Sequence, residues 1–273
     1  MPDLCHFHPY VYAQLMQYAK WLCEEIGFDG FRYDCVKCIN AWMIVALQNY
    51  LRRFAIGEYW DNEYNIERWL ERVEYRCSAF DFPLRETLRK VCEDDGFSLT
   101  SLDSFLVSNH PFHTVTFVEN HDTDVHAPIV RNKLLAYSYL LTHEGYPCVF
   151  WKDFYEYELG KEGTPTGLAR LMSIHDQHSR GCTTRLYADD TLYIMQREGE
   201  EEEGGLVYVL NTSEEWKGIF VNVKWHDRLL FPYAWNGEDK AKPGHRKSNG
   251  NGRVELWAAP KGYAIYVPQP ESV

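Results

Sequence analysis

Apolar positions along the first two thirds of the chain switch repeatedly between two periods. Val11 to Glu25 carries Leu15, Ala19 and Leu22 on one face, so this stretch predicts an amphipathic helix that Gly27 ends. Phe28 to Tyr33 then predicts a strand, Ala41 to Arg53 a helix, and Phe54 to Gly57 a second strand. The pattern repeats with a helix over 63–75, a strand over 77–80 and a helix over 83–93. A β-branched and aromatic strand follows at 114–118, then a helix at 131–142, a strand at 148–151 and a helix at 166–178. Repeated strand–helix units of this kind imply parallel strands joined by right-handed crossovers. A doubly wound open sheet and a (β/α)8 barrel both satisfy the pattern. No glycine-rich phosphate loop follows any of the strands, which weakens a nucleotide-binding reading.

The texture changes near residue 182. Short runs at 185–187, 191–197, 205–211, 218–223, 254–258 and 263–268 predict strands separated by turns, hence an antiparallel β domain. The division expected is 1–181 for the repeated strand–helix part and 182–273 for the β domain. Glu200 to Glu203 before Gly204-Gly205 reads as a solvated hairpin tip. The polar stretch 236–252 reads as a long loop, and Asn211-Thr212-Ser213 matches a glycosylation sequon.

Composition narrows the partners. With 273 residues and 45% hydrophobic content, the chain can bury a sizeable core. A net charge of -12 argues against nucleic acid, which demands a basic face, and against an anionic membrane surface. No run approaches the roughly 20 apolar residues that cross a bilayer. No signal peptide is visible at the start of the chain, and the true N-terminus is expected to be missing. The 8 cysteines are too dispersed for a small disulfide scaffold, so reduced thiols are favoured, and a cytoplasmic over a secreted location with them. The 9 Trp and 19 Tyr supply core area and flat surfaces able to stack on sugar rings.

Three carboxylates share one kind of placement. Asp34 closes the strand ending at Tyr33, Glu58 the strand ending at Gly57, and Asp122 follows the strand at 114–118 by way of Glu119-Asn120-His121. The C-terminal ends of barrel strands converge on the active face. An unpaired carboxylate does nothing for a core, so acids at three such ends point to chemistry. Glycoside hydrolysis uses paired carboxyl groups of this kind. Arg32, two residues before Asp34, lies on the same side of its strand and would keep Asp34 ionised. Glu58 would need a raised pKa to serve as an acid.

These segments resemble the α-amylase family of glycoside hydrolases. Gly30-Phe31-Arg32-Tyr33-Asp34-Cys35-Val36-Lys37 is similar to the nucleophile segment, Gly57-Glu58-Tyr59-Trp60 to the acid/base segment, and Phe117 to Thr123 to the third-acid segment. Met1-Pro2-Asp3-Leu4 resembles the stretch before the fourth barrel strand, and Pro260 to Tyr266 the end of the family's β-sandwich domain. All occur in family order, and the overall look is nearest to liquefying-type and intracellular α-amylases. The resemblance implies strands four to eight of a TIM barrel followed by an antiparallel β-sandwich. It also implies a fragment, with Asp34 as nucleophile, Glu58 as acid/base and Asp122 as transition-state stabiliser. Arg32, Lys37, His121 and Trp60 are the implied substrate contacts. The expected reaction is retaining endo-hydrolysis of α-1,4 bonds in starch or glycogen. The alternatives are an inactive glucan-binding protein or a transglycosylase of the same family.

The family commonly binds a structural Ca²⁺. The resemblance implies Asp3 and the backbone carbonyl of Cys38 as ligands, in a site left incomplete because a hard cation wants six to eight oxygens. Cys35-Val36-Lys37-Cys38 also spells CxxC, but no second pair completes a zinc site. Lying inside the nucleophile segment, it is read as part of that segment rather than as a zinc or redox motif.

Overall fold

The computed structural model describes residues 4–102, 105–161, 167–200 and 204–269. The chain forms two compact units, Met1–Leu84 with Phe105–Thr116, and Arg85–Ser104 with Phe117–Val273. The expected boundary at 181/182 falls inside the second.

In the first unit, α1 (Pro9–Trp21) is capped by the His8 side chain, which accepts the N–H of Tyr10. It runs into a π turn, Leu22–Ile26, that Gly27 ends with φ +92°. Only glycine enters that region without steric cost. The strand–helix alternation then follows, with β1 (Gly30–Tyr33), α2 (Ala41–Leu51), β2 (Phe54–Gly57), α3 (Glu63–Arg72) and β3 (Ser78–Phe80). α4 (Phe82–Glu93) begins in this unit and continues in the second. The short α5 (Leu106–Asn109) precedes β4 (Thr114–Phe117). β1 to β4 pair in parallel and in sequence order, with Arg32 opposite Ile56, Gly57 opposite Ala79 and Phe80 opposite Val115. The helices bury Ile44, Ile66, Trp69 and Leu70 against Ala55 and Ala79 of the strands. Gly57 is required where it stands, because a Cβ there would lie 2.2 Å from the Trp69 ring.

The second unit holds α6 (Thr123–His126), α7 (Lys133–Thr142), β5 (Tyr146–Cys148) and α8 (Leu168–His178). The antiparallel strands are β6 (Thr183–Ala188), β7 (Leu192–Arg197), β8 (Leu206–Asn211), β9 (Lys217–Asn222), β10 (Leu229–Asn236), β11 (Arg246–Lys247), β12 (Arg253–Ala258) and β13 (Gly262–Pro268). One sheet runs β11-β10-β13-β8-β7-β6, and β9 pairs with β12 in a second. Leu192, Ile194, Val207, Val209, Leu256 and Tyr266 pack between them. α7 is buried along nearly its whole length and is tied to the larger sheet by hydroxyl groups. Ser138 Oγ meets Tyr208 Oη at 2.9 Å, and His143 Nε2 meets Tyr193 Oη at 3.0 Å. Through these bonds helical and β segments form one unit.

Several expectations shift. The strand expected at 148–151 is at 146–148, and a π turn, Lys152–Glu156, follows, because Asp153 is drawn inward to Lys133 and Tyr137. β10 was not expected. Its register slips between Pro232 and Ala234, where proline has no N–H to give the ladder. The stretch read as loop contains the short β11. Of the acidic run, Glu201 to Glu203 lie outside the described residues, and their neighbours join β7 to β8 as a hairpin. Asn211 of the sequon is buried. Its Nδ2 donates to the carbonyls of Glu215, Ala258 and Ala259, and its Oδ1 accepts from Ser213.

Asp81, just beyond β3, is wholly buried. It accepts the N–H groups of Leu84 and Val107 at 3.0 Å each. Burial pushes its carboxyl up to about 7, although those two bonds act the other way. The folded chain thus keeps a proton that the unfolded chain releases near the usual carboxylate pKa of about 4. The contribution to stability is complete below about pH 4 and is lost as pH rises toward 7, at up to about 1.4 kcal/mol per pH unit. Urea unfolding at about pH 5 and about pH 7 should show the chain losing stability relative to Asp81→Asn across that interval. An unchanged difference between the two proteins would remove Asp81 as the cause.

Candidate functional site

The ends of β1 and β2 are locked together beyond their ladder. Glu58 N–H donates to the Tyr33 carbonyl at 2.9 Å, and Val36 N–H donates back to the Glu58 carbonyl at 3.2 Å. Between them Cys35 sits at φ +44°, a left-handed turn that swings the chain into the 3-10 turn Val36–Cys38. Asp34 and Glu58 are thereby held at neighbouring strand ends.

Arg32 joins them. Its Nη1 donates to Asp34 Oδ1 at 2.7 Å and its Nη2 to Glu58 Oε1 at 2.6 Å. The remaining oxygen of Glu58 accepts the Cys35 N–H at 3.2 Å. The Asp34 side chain is 73% exposed and the Glu58 side chain 12%. One carboxylate is therefore open to a reactant from solvent, while the other is recessed and held on both oxygens. The expected neighbour of Asp34 is in place, and its second bond, to Glu58, was not foreseen.

Lys37 is bound to Asp61, with Nζ to Oδ2 at 2.6 Å, and lies over the Tyr59 ring, 5.1 Å from its centre. Lys37, then Asn65 and the Asn62 N–H, hold the Asp61 carboxyl down at about 2. Tyr59 packs against Trp69, and Trp60 lies parallel to Phe82 at 4.9 Å while staying half exposed. One face of Trp60 is thus occupied by Phe82.

Asp122 lies in the second unit, with its neighbour His121. His121 Nε2 is 3.4 Å from Asp122 Oδ2, and both side chains are accessible. The turn that carries them is built by Asn120, whose Oδ1 accepts the N–H groups of Asp122 and Thr123. Beneath it runs a buried ionic network. Glu119 pairs with Arg85 at 2.5 Å and with Lys133 at 3.3 Å. Lys133 also bonds Asp153 at 2.7 Å, and Tyr137 donates to the same carboxylate at 2.6 Å. Burial raises the Asp153 carboxyl, while Lys133 and Tyr137 act against that. One residue past Thr123, Asp124 bonds Lys152 and Tyr157 at 3.0 Å each. These bonds outweigh its desolvation and lower its pKa.

Sequence reasoning missed Asp61, Glu119, Asp124 and Asp153. Asp61 directly precedes Asn62, the N-cap of α3, so a helix start was readable there. Asp153 interrupts the aromatic run Phe150-Trp151 and Phe154-Tyr155, an unusual place for an acid without a partner. Asp3 lies outside the described residues. Among the described residues, no group of three or more His, Cys, Asp or Glu is arranged to hold a metal. The Cys38 carbonyl alone does not make an oxygen-rich Ca²⁺ site. No helix is long and apolar enough to cross a membrane among the described residues.

No protein-family model matches the sequence. The chain is 34% identical over 168 residues to an α-amylase of Bacillus licheniformis, a match that covers 56% of this chain and 33% of the relative. It is 29% identical over 251 residues to the cytoplasmic α-amylase of Escherichia coli K12, covering 80% of this chain and 51% of the relative. The chain thus spans from a third to a half of the length of these curated relatives. Its fold is similar to part of the α-amylase from Geobacillus thermoleovorans, solved with acarbose, with a TM-score of 0.77 at 18% identity over 99% of this chain and 66% of that one. A partial barrel followed by an antiparallel β domain describes the architecture.

The nearly buried Lys133 and the partly exposed Lys152 make predictions of different size. Lys133→Met strands Asp153 in the interior and should destabilise the chain by about 3–5 kcal/mol. Lys152→Met removes a partly exposed pair and should cost about 1 kcal/mol or less. Urea denaturation of both variants checks the contrast, and equal losses would contradict the network.

Proposed function

We infer that this chain, which belongs with the α-amylase family of glycoside hydrolases over the C-terminal part of their length, hydrolyses α-1,4-glucosidic bonds in starch or glycogen. The observation that carries the reading is the Arg32 guanidinium shared by the exposed Asp34 and the recessed Glu58. Residues 1–181 are read as strands four to eight of the barrel with their helices, and 182–273 as the β-sandwich domain.

In this reading Asp34 attacks the anomeric carbon and forms a glycosyl ester as the glucosidic C–O bond breaks. Glu58, entering the step in its protonated form, delivers the proton that the leaving oxygen needs. It then takes a proton from the water that opens the ester, so the α configuration is restored. Arg32 orients both carboxyl groups. Asp122 is the acid assigned to the charge that grows on the sugar in the transition state. His121, Lys37 and Trp60 are assigned to sugar hydroxyls and ring faces. For Lys37 this means contact through an ammonium already oriented by Asp61, and for Trp60 through the face opposite Phe82. Cleavage within the glucan chain is the expected mode. The sugar-binding partner is supported by the related enzyme solved with acarbose.

Reducing-sugar release from soluble starch by the purified chain tests the proposal. Asp34→Asn should abolish it. Glu58→Gln should lower it at least about 10²-fold, with a smaller loss on a glucosyl fluoride, whose leaving group needs little protonation. No release by the unaltered chain, together with measurable binding of acarbose, would replace hydrolysis by glucan binding. Longer glucans forming in place of reducing ends would make the protein a transglycosylase.

A further inference from the structure

The CxxC segment directly follows Asp34, and its backbone bonds Glu58 through the Cys35 and Val36 N–H groups. Cys35 Sγ and Cys38 Sγ are 3.4 Å apart, both residues are exposed, and neither is bridged. The 3-10 turn between them is fixed at both intervening positions. Val36 is buried and its N–H bonds the Glu58 carbonyl, and Lys37 is bound to Asp61. The Cys38 N–H returns to the Cys35 carbonyl at 2.9 Å. The backbone thus presents the two sulfurs to each other, and a bond of about 2.05 Å requires a small further approach. The Cys35 N–H is also one of the two donors that hold the Glu58 carboxylate.

We propose that Cys35 and Cys38 are a reversible thiol-modification site, which a low-molecular-weight disulfide converts into an intramolecular bridge. In the first step the thiolate of one cysteine attacks a sulfur of the small disulfide, forming a mixed disulfide and expelling one thiolate. In the second step the other cysteine's thiolate attacks the protein sulfur of that mixed disulfide. The Cys35–Cys38 bond forms, and the second small thiolate leaves. The two thiol protons end on the two small thiols, so the protein loses two electrons and two protons while the small disulfide gains them. The Cys35 thiol is pushed up by its hydrogen bond with Cys38, then by burial and by the neighbouring carboxylates, so its thiolate is scarce and its attack on the small disulfide is slow.

The bridge would strap the Cys35 backbone, whose N–H steadies Glu58, and the proposal includes a loosening of the recessed carboxyl on closure. This link to turnover rests on the reading of Asp34 and Glu58 as the catalytic pair. The bridge itself does not.

The experiment equilibrates the purified chain in glutathione buffers of graded oxidised fraction, alkylates the remaining thiols and maps the peptides by mass spectrometry. A peptide with Cys35 joined to Cys38, reopened by dithiothreitol, is the expected result, while the exposed Cys5, Cys148 and Cys182 act as internal references. Cys35→Ser and Cys38→Ser should each eliminate that bridge. Starch hydrolysis by the oxidised chain should fall at least about tenfold and return on reduction, because small displacements of a catalytic group are costly. Cys35 and Cys38 remaining separately alkylated at every oxidised fraction would overturn the proposal. So would bridges made only to other cysteines. A reduced chain without hydrolysis would count against the catalytic reading alone, since the peptide map still decides the bridge.

Discussion

Arg32 stands third in a four-residue strand and donates to carboxylates that follow two different strands. A planar fork of donors can bond two acceptors in fixed directions, which a lysine ammonium cannot. For that fork to reach both, β1 and β2 must be parallel and in register, with Arg32 opposite Ile56, and the chain must turn sharply after each. The left-handed Cys35 supplies one turn. On the other side, Gly57 leaves room for Trp69 directly beneath Glu58. Helix packing, strand register and backbone conformation all converge on the placement of one guanidinium.

The second unit reaches a similar end by other means. Its exposed acid, Asp122, rides on a turn whose backbone is bonded by Asn120, and the Arg85, Glu119, Lys133 and Asp153 charges of the same unit are buried or nearly so. Buried ion pairs add little to stability compared with well-packed apolar groups, yet they are costly to break. Such a foundation resists small shifts of register, since every shift leaves a charge without its partner. In the first unit Asp34 is open to solvent, Glu58 is recessed, and the anchor beneath Gly57 is aromatic. Here the anchor itself is ionic.

The sequence reveals those features that arise from local period and from the position of acids at strand ends. Asp34 and Glu58 are visible because each follows a short apolar run with a glycine in or beside it. Asp122 is visible because Glu119-Asn120-His121 leads from a β-branched strand. Asp153 and Glu119 escape notice because their partners, Lys133 and Arg85, come from helices distant in sequence, and no local pattern records such pairs. β10 escapes because Pro232 interrupts an apolar run that shows no alternation, and only the bulge reconciles a proline with an interior strand. The strand near residue 148 is placed too late because Val149 to Trp151 reads as extended, while the pull on Asp153 coils the segment after it. The hydroxyl bonds from α7 to β7 and β8 have no signature in periodicity at all, and they join helices and sheet in one unit.

The amide of Asn211 has a consequence for any passage of this sequence through a glycosylating compartment. Its nitrogen is spent on three carbonyls in the interior, so in the folded β domain it offers nothing to a transferase. A sugar could be attached only while the chain is still open. Once attached, it would occupy the position of the bonds that close β8 against the turn after β12. Decoration and folding would compete for the same nitrogen atom, and whichever came first would exclude the other.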